Sequence, residues 1–112
     1  MPNELIFSKS KEVSTDSPLG TVSVRRYRQI RVLAMCSPLS PSSAVIQLAF
    51  NQGLGGIPGF LDSYLLAPGD SVQQLYEVPG VLLDVVASSE AGADGGTTTA
   101  EVWVWGYRLP GE

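Results

Sequence analysis

Aromatic side chains recur at every second position near the end of the chain, and they are the residues best suited to chemistry. The segment is Ala100-Glu101-Val102-Trp103-Val104-Trp105-Gly106-Tyr107. Because side chains alternate across a strand, Trp103, Trp105 and Tyr107 share one face, which also carries Glu101. Val102 and Val104 occupy the other face. The pattern predicts an aromatic surface that lies opposite a valine core.

Sugar recognition is one use of such a surface, provided that a neighbouring strand adds hydrogen-bonding groups. If Val81–Ser88 pairs antiparallel with the last strand, Asp84 joins the aromatic side. The carboxylates of Asp84 and Glu101 would then flank Trp103, where a pyranose stacks its apolar face on the indole. The alternative is that both tryptophans are core residues, or are covered by another strand or subunit. The predicted contact site for a neutral glycan or a protein is Trp103, Trp105, Tyr107, Asp84 and Glu101.

Catalytic chemistry has little support. Asp84 and Glu101 are the one carboxylate pair that alternation places together, and glycoside hydrolysis needs two carboxyl groups about 5 Å or about 6.5–9.5 Å apart. The chain has no His, which excludes Ser-His-Asp, Cys-His and His-ligated metal sites. Cys36, the single cysteine, ends an apolar segment and is expected to be a buried small hydrophobe. We predict no catalytic residue, no metal and no cofactor.

Two glycine-rich segments resemble ligand-binding loops without meeting their requirements. Gly53–Gly59 has Pro58 where a dinucleotide-binding turn needs its third glycine, and a predicted strand follows instead of a helix. The segment Glu90–Gly96 offers two carboxylates to Ca²⁺, which takes six to eight oxygen ligands. Both segments are predicted to be surface loops.

Charge is uneven along the chain, whose net charge is −4. Residues 1–31 carry six basic and three acidic side chains, a net of +3, and residues 32–112 carry one basic and eight acidic side chains, a net of −7. An acidic chain with one short arginine cluster lacks the net basic field of a nucleic-acid-binding domain. We expect this cluster to meet the acidic half of its own chain or of a second copy. It consists of Arg25, Arg26, Arg28 and Arg31.

The elements that must position these residues are predicted to be the strands of one domain, residues 1–112. A chain of this length can bury a core without disulfide or metal. Short alternating segments without a 3.6-residue period predict an all-β protein. The stretch 8–20 is polar and is predicted to be a loop that is free to be flexible. Strands are expected near Glu4–Phe7, Thr21–Tyr27, Gln29–Cys36, Ala44–Asn51, Phe60–Leu66, Ser71–Val78, Val81–Ser88 and Thr98–Leu109.

Two Pro-Gly pairs indicate how the strands connect. Pro68-Gly69 and Pro79-Gly80 suit type II turns, which splay the flanking strands relative to a tight hairpin. Strands that cross between sheets favour a two-sheet sandwich of Greek-key or jelly-roll type with about eight short strands. A small closed barrel is the alternative. A bend at Tyr27–Arg28 could join two of the predicted strands into one long strand.

Self-association is predicted from apolar residues on both faces of two strands, Ile30–Met35 and Ala44–Phe50. An outer sheet of a monomer shows a clean alternation of apolar and polar residues, so these second faces need cover. A dimer or trimer is the expected state. Membrane insertion is not expected, because no run approaches about 18 apolar residues and residues 1–8 lack the pattern of a signal peptide.

The function predicted from these patterns is a non-enzymatic, self-associating recognition module that binds a neutral glycan or a protein through its aromatic strand. One alternative is a structural protein of a virion or extracellular assembly, with the aromatic face buried between subunits. Another is a carbohydrate-active enzyme that uses the carboxylate pair. The general pattern resembles the small jelly-roll modules of lectin-like, trimeric head and virion proteins, and this likeness concerns architecture alone. The compartment is left open.

Overall fold

The strands of the molecule follow the alternating segments of the sequence. A computed structural model describes residues 3–15, 17–51, 59–78, 81–90 and 98–108. Its strands are β1 (Asn3–Val13), β2 (Ser17–Ser23), β3 (Gln29–Cys36), β4 (Ala44–Asn51), β5 (Gly59–Leu66), β6 (Ser71–Glu77), β7 (Leu82–Ser89) and β8 (Thr98–Tyr107).

Two four-stranded antiparallel sheets pack face to face. Sheet A has the order β1-β8-β3-β6, and sheet B has the order β2-β7-β4-β5. All consecutive strands except β4 and β5 lie in different sheets, which is the connectivity of a jelly-roll sandwich. The predicted two-sheet sandwich with about eight strands is confirmed, and the closed barrel is not the solution that the chain adopts.

The core lies between the sheets, on what we call their inner faces, and it follows the predicted period of two. Strands β3, β7 and β8 each alternate buried and partly buried residues along their whole length. Apolar side chains therefore fill the interior, while the outer faces carry a mixture of apolar and polar groups. The fully buried apolar residues of the three strands include Ile30, Val32, Ala34, Leu83, Val85, Ala87, Ala100, Val102 and Val104.

The first Pro-Gly turn has the predicted geometry. Gly69 has a φ of +89°, and the Asp70 amide donates to the carbonyl of Ala67 at 2.8 Å, as in a type II turn with Pro68 at its second position. The turn connects β5 of sheet B to β6 of sheet A, as expected of a type II turn, which splays its flanking strands. Pro79-Gly80 lies outside the described residues, but the strands on either side of it, β6 and β7, also belong to different sheets.

The polar stretch 8–20 was expected to be a loop, and that expectation is wrong. Residues 8–13 extend β1, and residues 17–20 begin β2. Both are edge strands, so their side chains are largely solvated and the amphipathic signal that marks a half-buried strand is missing. Val13 and Leu19 provide the buried anchors.

Two further expectations about strand connections are wrong. Strands β2 and β3 are not one bent strand, because residues 24–28 cross between the sheets through a turn in which the Tyr27 amide donates to Val24 at 3.1 Å. Strand β7 does not pair with β8. It pairs with β2 and β4, while β8 pairs with β1 and β3. The inner faces of β7 and β8 are both apolar, and placing them in opposite sheets buries each against the other layer.

Parts of the two glycine-rich segments, residues 52–58 and 91–97, lie outside the described residues. The part of the chain that the structure describes contains no helix long and apolar enough to cross a membrane.

Candidate functional site

The aromatic residues of β8 lie on the outer face of sheet A. Trp103, Trp105 and Tyr107 are partly buried there, while the intervening Val102 and Val104 are fully buried on the inner face. Glu101 lies on the outer face of the same strand. Both tryptophans are therefore outside the core of the subunit.

Neighbouring strands extend this surface across the whole sheet. Trp105 is the register partner of Leu5 on β1 and of Arg31 on β3, and Arg31 in turn faces Leu75 on β6. Leu5 and Leu75 are each 54% exposed. Trp103 has Leu33 as its partner on β3. We call this surface the aromatic face: Leu5, Arg31, Leu33, Leu75, Trp103, Trp105 and Tyr107.

Arg31 is the cation of the aromatic face. Its guanidinium carbon lies 4.9 Å from the ring centroid of Trp105 and 6.0 Å from that of Tyr107, within the range of cation–π attraction. Its Nε is buried and has no hydrogen-bond partner among the described residues. The sequence shows Arg31 as part of a basic cluster, but its placement over Trp105 depends on the β3–β8 register, which no local pattern encodes.

The structure separates the predicted carboxylates. Asp84 lies on β7, on the outer side of sheet B, where the hydroxyl of Thr21 donates to its Oδ1 at 2.5 Å. Glu101 lies on the outer side of sheet A. Because packed sheets are about 10 Å apart and the two side chains project in opposite directions, they cannot flank one sugar. The alternative in which these two carboxylates act as a pair in glycoside hydrolysis therefore fails, and the expected placement of Asp84 beside Trp103 is wrong.

A concave site lies elsewhere, at the end of the sandwich where β3 begins and β6 ends. This pocket has a volume of about 440 Å³ and is lined by Tyr27, Arg28, Gln29, Glu77 and Val78. None of the five predicted contact residues lines it. The aromatic face and this pocket are thus separate features.

Tyr27, on one wall of that pocket, belongs to a polar cluster that closes the same end. Its hydroxyl donates to Glu4 Oε2 at 2.8 Å, and Arg108 Nη2 lies 3.5 Å from Glu4 Oε1. The Arg108 guanidinium carbon is 5.5 Å from the centroid of the Tyr27 ring. Burial raises the pKa of Tyr27, and the hydrogen bond to Glu4 raises it further. The neutral phenol is therefore a structural donor that holds the N-terminal part of β1.

In the described part of the chain, no three His, Cys, Asp or Glu side chains are grouped so that they could hold an ion. The arginine cluster also departs from expectation. Among the described residues, no carboxylate lies within 4 Å of the exposed Arg25, Arg26 or Arg28, so the expected meeting with the chain's own acidic half is not seen there.

No family model and no curated protein matches the chain. A pilus protein of Bacillus endospore appendages, which form disulfide-linked pili, superposes with a TM-score of 0.60 at 9% identity, over 96% of this chain and 88% of that one. The SPBc2 prophage-derived protein YomS gives 0.56 at 13% identity, over 93% and 96%. PirA gives 0.55 at 12% identity, over 90% and 95%. At these identities the similarity shows the fold alone.

Proposed function

We propose that this chain is a non-enzymatic structural subunit of an extracellular or virion assembly, in which a neighbouring subunit covers the aromatic face. The observation that carries the proposal is the row Leu5, Trp105, Arg31 and Leu75, which crosses all four strands of sheet A on its outer side. The outer sheet of an isolated sandwich is expected to be polar there.

The outer face of sheet A, which contains the aromatic face, is large enough for a specific contact. Four strands spaced about 4.8 Å apart and about eight residues long, at about 3.3 Å per residue, give a flat area of about 500 Å². Covering it with a second surface would bury about 1,000 Å² in total, the lower limit for a specific protein interface. Tryptophan and arginine are also the residues enriched at the energetic centres of interfaces.

Arg31 indicates what the covering surface should supply. Its Nη groups have no hydrogen-bond or ion-pair partner among the described residues and, unlike Nε, are not buried, so they are the donors that a carboxylate on a partner would reach. The chain is acidic, with eleven carboxylate side chains against seven basic ones. A second copy can therefore provide that acceptor.

The similar structures are compatible with this role. The pilus protein of endospore appendages assembles through disulfide links, and it shares the architecture of this chain. Here the single cysteine, Cys36, is only 1% exposed, so we propose contacts without a disulfide between subunits.

A neutral glycan on the same face is the second candidate. It is favoured by the position of Trp103 beside Glu101 on one outer face, which offers an indole plane and a hydrogen-bond acceptor. The loss of Asp84 from this face, which removes one of the two expected hydrogen-bonding carboxylates, makes it the weaker of the two.

The test is to replace Trp103 and Trp105 singly with alanine and to measure oligomer mass by light scattering, glycan-array binding, and urea unfolding of the diluted subunit. Leu65→Ala is the control, because Leu65 is an exposed leucine on sheet B. We expect both tryptophan variants to lower the oligomer mass. The Trp105 variant should lose about 1 kcal/mol of subunit stability, the size of its cation–π contact with Arg31.

Other outcomes separate the alternatives. Unchanged mass with lost glycan binding would select the glycan function over assembly. A stability loss of about 3–5 kcal/mol in the diluted subunit would show that the tryptophans act as core residues and would contradict both candidates.

A further inference from the structure

The four edge strands of the sandwich differ in how well they are protected against pairing with another chain. An edge strand exposes a row of unpaired backbone groups, and proteins block such edges with prolines, bulges and charged side chains that point inward. The edges here are β1 and β6 in sheet A and β2 and β5 in sheet B.

Strand β1 carries two of these devices. Its register with β8 shifts between Leu5 and Phe7, which marks a bulge or irregularity. Lys9 and Lys11 are in register with the buried Val102 and Ala100, so both project from the inner side of the sheet while remaining exposed. A second strand that paired with β1 would have to lie beside these two charged side chains.

Strands β2 and β5 are protected as well. Strand β2 contains Pro18, and its register shifts between Pro18 and Gly20. On β5, Asp62 lies opposite the buried Leu48 and therefore projects inward, and the register with β4 shifts between Leu48 and Ala49. Each edge thus has an irregularity together with a proline or an inward charge.

Strand β6 has none of these features along its seven described residues. Its register with β3 runs without a shift from Gln29 opposite Glu77 to Met35 opposite Ser71. The run Ser71-Val72-Gln73-Gln74-Leu75-Tyr76 is uncharged and lacks proline and glycine. Most of its side chains are exposed.

The open side of β6 can be assigned from its hydrogen bonds. The Cys36 amide donates to Asp70, and the Val78 amide donates to Arg28, both at 3.0 Å. In an antiparallel pair the bonded positions alternate, so the even-numbered residues of β6 bond to β3. The amides and carbonyls of Ser71, Gln73, Leu75 and Glu77 therefore face the open side.

A tyrosine bridge fixes the position of this edge. Tyr76 of β6 donates to Asp62 Oδ2 at 2.8 Å, and its oxygen is also hydrogen-bonded to the hydroxyl of Tyr64 on β5. Because a phenol has one proton, Tyr64 is the donor in that second bond. The bridge ties β6 to sheet B, so the open edge is held in place before any partner arrives.

We propose that β6 pairs with β6 of a second copy, antiparallel and across a two-fold axis, to form a continuous eight-stranded sheet. Among the described edges β6 alone is unprotected, so when two copies of this chain meet edge to edge, β6 of the second copy is the described strand that can pair with it along its full length. This inference rests on the proposed role in assembly, because it names how two subunits join.

Full overlap of the two strands sets the register. Gln74 then lies on the axis opposite Gln74 of the second copy, and Gln73 faces the second Leu75 in a hydrogen-bonded pair. Glu77 faces Ser71, so the two glutamates do not oppose each other. The aromatic faces of both copies become one surface, since the two Leu75 side chains are diagonal neighbours about 7–8 Å apart.

Gln74, which lies on the two-fold axis, allows a direct test of the β6 pairing. Gln74 is exposed, so Gln74→Lys and Gln74→Glu should both fold, but each places like-charged side chains directly opposite each other, with their Cβ atoms about 4.5–5.5 Å apart. We expect light scattering at micromolar concentration to show each variant alone with half the mass of the wild-type assembly. An equimolar mixture should restore the mass, and native mass spectrometry should show mixed dimers. Gln47→Lys, an exposed Gln-to-Lys change on β4, is the control and should assemble as the wild type does.

The results that would contradict the β6 pairing differ from those that would contradict the proposed function. If Gln74→Lys keeps the wild-type mass while Trp105→Ala loses it, assembly occurs through the aromatic face and the β6 pairing is wrong. If both charge variants lose mass but their mixture does not recover it, β6 meets a different surface and the two-fold register is wrong. A wild-type monomer at these concentrations would overturn the pairing directly.

Discussion

Gly106 shows how a single residue shapes the end of the sandwich next to the aromatic face. It lies between Trp105 and Tyr107 on β8, and a Cβ built on it would lie 2.5 Å from Cδ1 of Tyr27. The Tyr27 ring rests on the glycine backbone and reaches Glu4 with its hydroxyl. Close approach of a ring, and not a positive φ, is what requires glycine at this position.

We therefore expect Gly106→Ala to destabilise the subunit by about 1–3 kcal/mol, because the added methyl forces the Tyr27 ring away. Urea unfolding measures the effect. In a Tyr27→Ala background the same change should cost much less, since the clash is gone. If Gly106→Ala lowers the free energy of unfolding equally with Tyr27 and with Ala at position 27, the strain does not come from the Tyr27 ring.

The residues of β8 also show what the sequence can predict about the site. Period-two alternation separates Trp103 and Trp105 from Val102 and Val104 without any knowledge of the fold, because the face of a side chain depends on its own strand alone. The neighbours of that strand depend on pairing between distant segments. Arg31 could therefore not be placed over Trp105, and Asp84 was placed on the wrong sheet.

At the level of elements, the bounds predicted for β3 and β4 agree with the structure at both ends. Both are central strands with a continuous apolar inner face, so their pattern is strong. Pro68-Gly69 was equally informative, because its turn type needs a positive φ at one position. Strand β1 was predicted too short, because an edge strand solvated on both sides has no period to detect.

The tyrosine bridge between β5 and β6 leads to a prediction about pH. Burial raises the pKa of Tyr64 above its ordinary value of 10.0, and the negative charge of Asp62 raises it further. The unfolded chain thus loses this proton at lower pH than the folded chain does. The stabilisation that Tyr64 provides is complete below about pH 10 and declines as pH rises towards the folded pKa.

We expect Tyr64→Phe to reduce the alkaline loss of stability, although Tyr27 retains part of it because its pKa is also raised. At neutral pH the variant should be less stable by about 1 kcal/mol, the usual net value of a hydrogen bond. Urea unfolding from about pH 8 to about pH 11 measures both effects. An alkaline slope identical to that of the wild type would contradict the role of Tyr64.

At the scale of the whole molecule, exposed charges of both signs lie towards each end of the sandwich, and the basic ones are densest between β2 and β3. Arg25, Arg26 and Arg28 are exposed between β2 and β3, and Asp70 and Glu90 are exposed at the opposite end of the sandwich. Without a carboxylate partner among the described residues, these arginines are free to meet acidic groups of another subunit. Electrostatic complementarity of this kind sets the rate and specificity of association more than its strength.

Arg26→Glu should therefore slow assembly and lower the oligomer mass, and high salt should weaken wild-type assembly in the same direction. Lys11→Glu is the matched control, because it changes the net charge equally at an exposed site near the other end. Light scattering over a range of salt concentrations is the measurement. A wild-type mass equal to the 11.9 kDa of one chain would contradict self-association altogether.

Because Cys36 is buried, the rate at which a thiol reagent labels it reports local opening of the structure. The side chain is 1% exposed at the end of β3, and its sulfur lies 3.8 Å from the carbonyl oxygens of Ser37 and Ser42. The Cys36 amide is also bonded to Asp70, next to β6. A thiol reagent can reach the sulfur only when this corner separates, so its labelling rate measures how often β6 and the neighbouring loop open. Any partner that holds β6 in place must slow this labelling, and the slower rate can be measured without introducing another cysteine.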